Sequence, residues 1–343
     1  MLLKDLLTLK YGKNQSKVID NNGKYPIYGT GGVMGYTTDF LYDKPSILIG
    51  RKGSISKVQY IDKPFWCVDT TFYSVINDKI VIPKYLYYKF SLVDFTKFDE
   101  GTTIPSLRTE TLNKLDFSIH SMAEQQHIVN TIWTIDDLIE NKLKIIAKIK
   151  EFRSTIFLNY QSNYDRKINL SNVVNFENGT QPPKSQHIYD KKDGYIRFVQ
   201  NRDYDSDSHI TFIPVSKKNH ICDEYDIMMD KYGQAGAIRY GIAGAFNVAL
   251  LKIIPKNNHL KEWIRDYLSQ PKIKEILFLS SQASTRPSLN ESTFISLKLP
   301  LVSDSLLFEY ENNMNFLLKV ELLARKEIRL LKKSKARLLE KYF

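Results

Sequence analysis

The chain repeats itself, and that limits its folds more than any motif does. Gly101 to Ile119, "GTTIPSLRTETLNKLDFSI", lines up with Ala283 to Leu301, "ASTRPSLNESTFISLKLPL", sharing Pro-Ser-Leu at Pro105 to Leu107 and Pro287 to Leu289. Earlier, "ILIGRKGSISKV" resembles "IMMDKYGQAGAI" (Ile227 to Ile238): a short apolar strand, a basic residue, then glycine, Gly53 or Gly233. The starts also match: "LKDLLTLKYGKNQ" (Leu3 to Gln15) and "LSNVVNFENGTQP" (Leu170 to Pro182) place apolar residues alike before Gly12 and Gly179. The pairs fall in one order, and each copy closes on a long helical pattern.

Those helical patterns carry heptad seams. Ile135, Ile139, Ile146, Ile149 and Ile156 step by three and four, interrupted by Lys142 and Arg153. The tail repeats the device with Tyr310, Met314, Leu317, Ala324, Ile328, Leu331, Leu338 and Tyr342, interrupted by Glu321 and Lys335. Helices of roughly 35 residues would span about 50 Å, more than one compact unit needs for its own core, so the two are expected to pack on each other. The basic residues near the end read as a solvated face. The rest reads as strands and loops, with strands at "PSILIGRKG", "TTFYSVI", "YIRFVQN" and "FNVALLKII", and short helices at Pro83 to Phe90 and His259 to Ser269.

The expected fold is therefore α+β: two similar units, β-rich with short helices, separated by two long coiled-coil helices packed on each other. The expected boundaries are 1–120 for the first unit, 121–162 for a central spacer helix, 163–303 for the second unit and 304–343 for a terminal spacer helix.

Composition narrows the function. The 343 residues are 43% hydrophobic, enough for roughly two domains with cores. A net charge of +11 favours an acidic partner, nucleic acid ahead of a membrane surface. Cys67 and Cys222, the two cysteines, lie too far apart in sequence to be read as a disulfide framework or a zinc site, which suits a reducing compartment. No signal peptide is expected at the start, and no apolar run approaches the roughly 20 residues of a membrane span. The expected location is cytoplasmic, without membrane contact.

The usual catalytic and nucleotide motifs fail. "GRKGSIS" lacks the Gly-Lys-Ser/Thr of a phosphate loop, and "YGTGGVMGY" (Tyr28 to Tyr36) lacks the strand-turn-helix setting of a dinucleotide site. "QPPK" (Gln181 to Lys184) has neither the first-place amide or carboxylate nor the aromatic of an amino-methyltransferase motif. The six histidines show no metal-ligand spacing, and His120 and His127, flanking a helix start, read as surface residues. No catalytic or metal residues are assigned.

What remains is binding. Glycine lets a loop backbone approach phosphates closely, while Arg and Lys supply charge and donors that match guanine edges. In the first unit the DNA-binding candidates are Lys13, Thr30, Gly31, Arg51, Lys52, Ser54, Thr102, Thr103, Ser106 and Arg108. In the second they are Lys184, Gln200, Asn201, Arg202, Lys231, Tyr232, Gln234, Arg239, Ser284, Thr285, Arg286 and Ser288. A basic glycine loop occurring twice suits two separated contacts on one duplex.

Tyr25 to Val75, with "IPSL" and "AEQQHIVNTIWTIDDLIENK" (Ala123 to Lys142), resembles the specificity subunits of Type I restriction-modification systems. The resemblance covers essentially the whole chain. It implies a DNA sequence-specificity subunit whose two target recognition domains read a bipartite site, with the two long antiparallel coiled-coil helices setting their separation; the dissimilar loops of the two copies make the expected site asymmetric. It implies no catalysis and no cofactor in this chain. Its partners would be double-stranded DNA, two adenine-N6 methyltransferase subunits using S-adenosylmethionine, and restriction subunits using ATP and Mg²⁺. Glu124, Gln125 and Gln126 would dock a methyltransferase; the second helix start, "SDSLLFEYENNMNF", lacks that Glu-Gln-Gln. The alternatives are the specificity subunit of a Type IIB-like enzyme and a stand-alone coiled-coil DNA-binding regulator.

Overall fold

In the computed structural model, residues 1–20, 22–162, 166–282, 289 and 291–343 are described. They form two compact units, Met1–Asn141 with Ile328–Phe343, and Lys142–Glu327.

The first unit opens with a short helix, Leu3–Leu6, which buries both leucines before the chain enters strand Leu7–Tyr11. That strand edges a four-stranded antiparallel sheet ordered Leu7–Tyr11, Thr71–Ile76, Ser46–Gly50, Val58–Ile61. Ser46–Gly50 is buried throughout, which fits its apolar run Ile47-Leu48-Ile49. A second sheet joins the hairpin Tyr25–Gly29 and Gly32–Thr37 to Trp66–Cys67. Helix Pro83–Phe90 starts on Pro83, where a missing N–H costs nothing, and buries Tyr85, Leu86, Tyr88 and Phe90.

The second unit repeats this plan. A short helix, Leu170–Val173, leads into strand Val174–Asn178, the edge of a sheet ordered Val174–Asn178, Leu250–Pro255, Ile227–Asp230, Ile238–Arg239. A second sheet is ordered Thr211–Pro214, Tyr195–Val199, Gly244–Phe246, Ile221–Cys222. Its helices are Lys261–Ser269 and Pro271–Gln282, the latter not anticipated from sequence. Gly12 and Gly179 show why the starts of the two copies match. A Cβ on either would sit 2.0 Å from a carbonyl oxygen, of Val68 or of Asn247.

Both heptad seams form helices, Met122–Ser162 and Asp304–Tyr342. In the first unit Ile128, Val129 and Ile132 bury their side chains beside Leu338, Leu339 and Tyr342. In the second, Phe157 shares a core with Tyr310, Met314 and Leu307. The helices run antiparallel within each unit: Asp136 meets Lys335 in the first, and Lys142 meets Glu327 while Arg153 Nη1 donates to the Met314 carbonyl at 2.7 Å in the second.

Each seam interruption thus has a partner. Arg153 is 5% exposed and ion-paired to Glu262 and Asp266. Glu321, fully buried, accepts from the Tyr240 phenol and from Arg325, and the guanidinium groups of Arg265 and Arg325 each lie over the Tyr240 ring, 4.9 Å from its centre. A buried charge left unpaired is costly; in the second unit Arg153 meets that need by bonding across to Met314 of the terminal helix and to Glu262 and Asp266 of helix Lys261–Ser269.

His120 departs from its surface reading. Its Nδ1 lies 2.7 Å from the Tyr85 hydroxyl, and its ring packs near Phe343, because the chain before the central helix folds over helix Pro83–Phe90. Both cysteines are buried, which pushes the Cys67 thiol up to about 11 and the Cys222 thiol up to about 12. Such thiols are poor nucleophiles. Among the described residues no helix is long and apolar enough to cross a membrane, and no group of His, Cys, Asp and Glu is arranged to hold a metal.

Candidate nucleic-acid interface

In the first unit, strand Ser46–Gly50 delivers the basic loop. A Cβ on Gly50 would meet the Ser54 carbonyl at 2.2 Å, and Gly53 takes φ +82°, so glycine is required for the loop to turn back on itself. The loop is tied on two sides. Arg51 N–H donates to the Thr70 carbonyl and Arg51 Nε to the Asp69 carbonyl, both at 2.9 Å. Gly53 N–H donates to the Pro105 carbonyl, and Leu107 N–H donates back to Arg51, also both at 2.9 Å. Two segments about fifty positions apart in sequence thereby make one ledge carrying Arg51, Lys52, Thr102, Thr103, Ser106 and Arg108. The Arg51 guanidinium also lies over the Tyr11 ring, 5.5 Å from its centre.

The hairpin turn joins the same end of the unit. Gly29 to Met34 and Val68 to Thr70 line an open cleft of about 430 Å³, so Thr30 and Gly31 face the Asp69–Thr70 wall that anchors Arg51. Gly32 has φ +123°, and a Cβ on Gly31 would meet nothing within 4 Å. Lys13 is exposed nearby, its backbone held between Cys67 and the Trp66 indole, while Ser54 is exposed on the loop. Arg108 is ion-paired to Glu100 at 3.2 Å.

The second unit presents the equivalent end. Strand Ile227–Asp230 runs into a loop with Gly233 at φ +70° and Gly236 at φ +87°. Lys231 N–H donates to the Ala249 carbonyl, as Arg51 does to Thr70, and Leu289 N–H donates to the Lys231 carbonyl, as Leu107 does to Arg51. Tyr232 and Gln234 are exposed, while Lys231 Nζ is held by Asn178 Oδ1 at 2.7 Å. The Gln200 to Tyr204 turn is braced by Gln200 N–H on Asp203 and lies beside Asn247, whose N–H donates to the Val199 carbonyl. Arg202 is exposed, Asn201 Oδ1 accepts its N–H, and Gln200 Nε2 reaches the Thr211 hydroxyl at 3.4 Å. Lys184 is exposed on the short turn Lys184–Gln186. Ser284, Thr285, Arg286 and Ser288 lie outside the described residues.

Some candidates serve the fold. Arg239 grips the buried carboxylate of Asp230 with Nε and Nη2, at 3.1 and 2.8 Å, and places Nη1 3.0 Å from Asp205. That leaves little of its guanidinium for a base. Gln125 is fully buried: Oε1 accepts from Ile82 N–H, and Nε2 donates to the carbonyls of Ile80 and His120, so its amide closes the fold and offers a partner nothing. Glu124 caps the helix start through Ser121, whose hydrogen bonds hold its carboxyl below the usual range, and exposed Gln126 bonds Asn130. Sequence reasoning passed over Tyr11, Asp69 and Asn178, which support the basic side chains. Their signal was positional: Tyr11 and Asn178 each immediately precede an aligned glycine, Gly12 or Gly179.

Two copies of one unit, each carrying a basic glycine loop tied to the same strand ends, have a counterpart among known proteins. The Type I restriction modification DNA specificity domain matches residues 1–151 and again residues 163–305. The chain belongs to this Type I specificity family. Its similar relatives include the Type I restriction enzyme MjaIX specificity subunit of Methanocaldococcus jannaschii, 24% identical over 337 residues, covering 88% of this chain and 77% of the relative. A putative type I specificity subunit of Mycoplasma genitalium is 26% identical over 319 residues, covering 86% of this chain and 78% of that one. In fold, the crystal structure of a Type I restriction-modification S subunit from M. genitalium matches with a TM-score of 0.69 at 21% identity, over 100% of this chain and 95% of that chain. Membership in the specificity family agrees with the α+β fold and the paired long helices expected from sequence.

Proposed function

We propose that this chain is the DNA-reading, non-catalytic subunit of a Type I restriction-modification complex. Each unit reads one half of a bipartite site on double-stranded DNA, and the two long helices set the spacing between the halves. The supporting observation is that both units build the same loop framework at the same strand ends yet load it differently, Arg-Lys-Gly-Ser in one and Lys-Tyr-Gly-Gln in the other. Like frameworks carrying unlike side chains suit an asymmetric target. The chain positions two adenine-N6 methyltransferase subunits, which bring S-adenosylmethionine; restriction subunits bring ATP and Mg²⁺. Its place of work is the cytoplasm. The test is co-expression with a cognate methyltransferase and mapping of modified adenines: a two-part, non-palindromic motif is expected, and a palindromic one overturns the reading. Purified alone with DNA and Mg²⁺, the chain should leave DNA uncut.

A further inference from the structure

We infer that Ile104 is a specificity-determining residue that contacts a thymine 5-methyl group in the half-site read by the first unit. This rests on the proposed function above and goes beyond it by assigning one side chain to one chemical feature of a base.

Ile104 is 59% exposed, on a loop that its own backbone hydrogen bonds brace. The bracing is extensive. Asp99 Oδ1 accepts the N–H groups of both Gly101 and Ser106 at 2.8 Å, and Glu100 N–H donates to the Ser106 carbonyl at 2.9 Å. Gly101 is pressed so closely on Ile104 that a Cβ there would lie 1.9 Å from the Ile104 carbonyl oxygen. The neighbouring residue, Pro105, is the one bonded to Gly53 of the basic loop. Ile104 therefore follows the hydroxyls of Thr102 and Thr103 on a segment whose backbone is bonded to the loop that carries Arg51 and Lys52.

Single exposed apolar residues are common on protein surfaces and need no special cause. Here the backbone that carries the side chain is braced next to the basic loop, so little loop-ordering entropy is lost when DNA arrives. The apolar feature a major groove offers such a group is the thymine methyl. The aligned position of the second copy is Arg286, a residue type that pairs with guanine edges. One position carrying an apolar residue in one copy and a guanidinium in the other is what two units with different base preferences require.

The test uses the full chain with its methyltransferase and the mapped site. Each thymine of the first half-site is replaced in turn by uracil, which removes only the methyl group. Wild type should lose about fourfold in affinity at one position, the worth of one methyl-sized apolar contact. Ile104→Ala should bind the thymine and uracil duplexes equally, and Ile104→Val should retain most of the difference. Equal responses of wild type and Ile104→Ala at every position overturn the inference while leaving the proposed function intact. So does a uniform loss of affinity in Ile104→Ala, which would mark a wedge or general contact. A complex that does not prefer the mapped site over scrambled DNA overturns the proposed function itself.

Discussion

The guanidinium of Arg153 holds the carboxylate of Asp266 by two parallel hydrogen bonds, Nε to Oδ1 and Nη2 to Oδ2, each 2.9 Å. Glu262 and the Met314 carbonyl take further N–H groups, and the Tyr310 phenol donates to Asp266 at 2.7 Å. The two carboxylates keep the buried guanidinium charged despite desolvation. Removing one partner from such a pair costs far more than the pair contributes as a whole. Arg153→Met should therefore destabilise the second unit by about 3–5 kcal/mol, measured by denaturant unfolding. A loss under about 1 kcal/mol would show that the network is solvated and not structural.

Glu311 should give the stability of the second unit a pH dependence. Burial, with the nearby charge of Glu262, pushes its carboxyl up to about 7, against the N–H it accepts from Glu262 and the charges of Arg265 and Lys261. Its folded pKa lies above its unfolded one, so the folded state binds the extra proton. The contribution is full below the unfolded value near 4.5 and is lost as pH rises through about 7. Glu311→Gln should remove this dependence: its melting temperature relative to wild type should rise between pH 5 and pH 8. A constant difference across that range refutes it.

Glycine substitutions separate framework from surface. Gly12→Ala and Gly179→Ala each drive a methyl group onto a backbone carbonyl and should lose about 3 kcal/mol of stability. Gly31→Ala enters open space and should stay within about 0.5 kcal/mol of wild type. A lowered DNA affinity in that variant, with melting unchanged, would place the hairpin turn against the duplex.

The arginines should sort by what already holds them. Arg202 is exposed, so Arg202→Ala should cost about 1–3 kcal/mol at one base pair if it reads guanine, or weaken all sequences alike if it meets a phosphate. Arg239→Ala strands the buried carboxylate of Asp230 and should lower the melting temperature instead. Binding across a panel of single-base variants, paired with thermal melts, distinguishes these outcomes.

Lengthening both long helices by one turn adds about 5.4 Å along each. Under the proposed function, the spacer between methylated half-sites should change while the half-sites stay the same. Methylation mapping of the lengthened protein reads this directly, and an unaltered spacer removes the helices from that role.

The repeat, the seams and the basic glycine loops were legible in the residues alone, because periodicity and glycine spacing are local properties of a chain. Gly12 and Gly179 announced the aligned strand ends before any coordinates, although the carbonyls that demand glycine there belong to distant segments. Only tertiary structure decided which polar residues face inward. Gln125 sits in a stretch that reads as a docking surface, yet three backbone groups claim its amide; Arg239 reads as a base contact, yet Asp230 and Asp205 occupy it. Likewise Arg51 and Pro105 share a ledge only because Gly53 N–H donates to the Pro105 carbonyl and Leu107 N–H to the Arg51 carbonyl. A hydrogen-bond partner far along the chain leaves no mark on local pattern, so sequence determined the repeated framework and folding determined which side chains remained free to act.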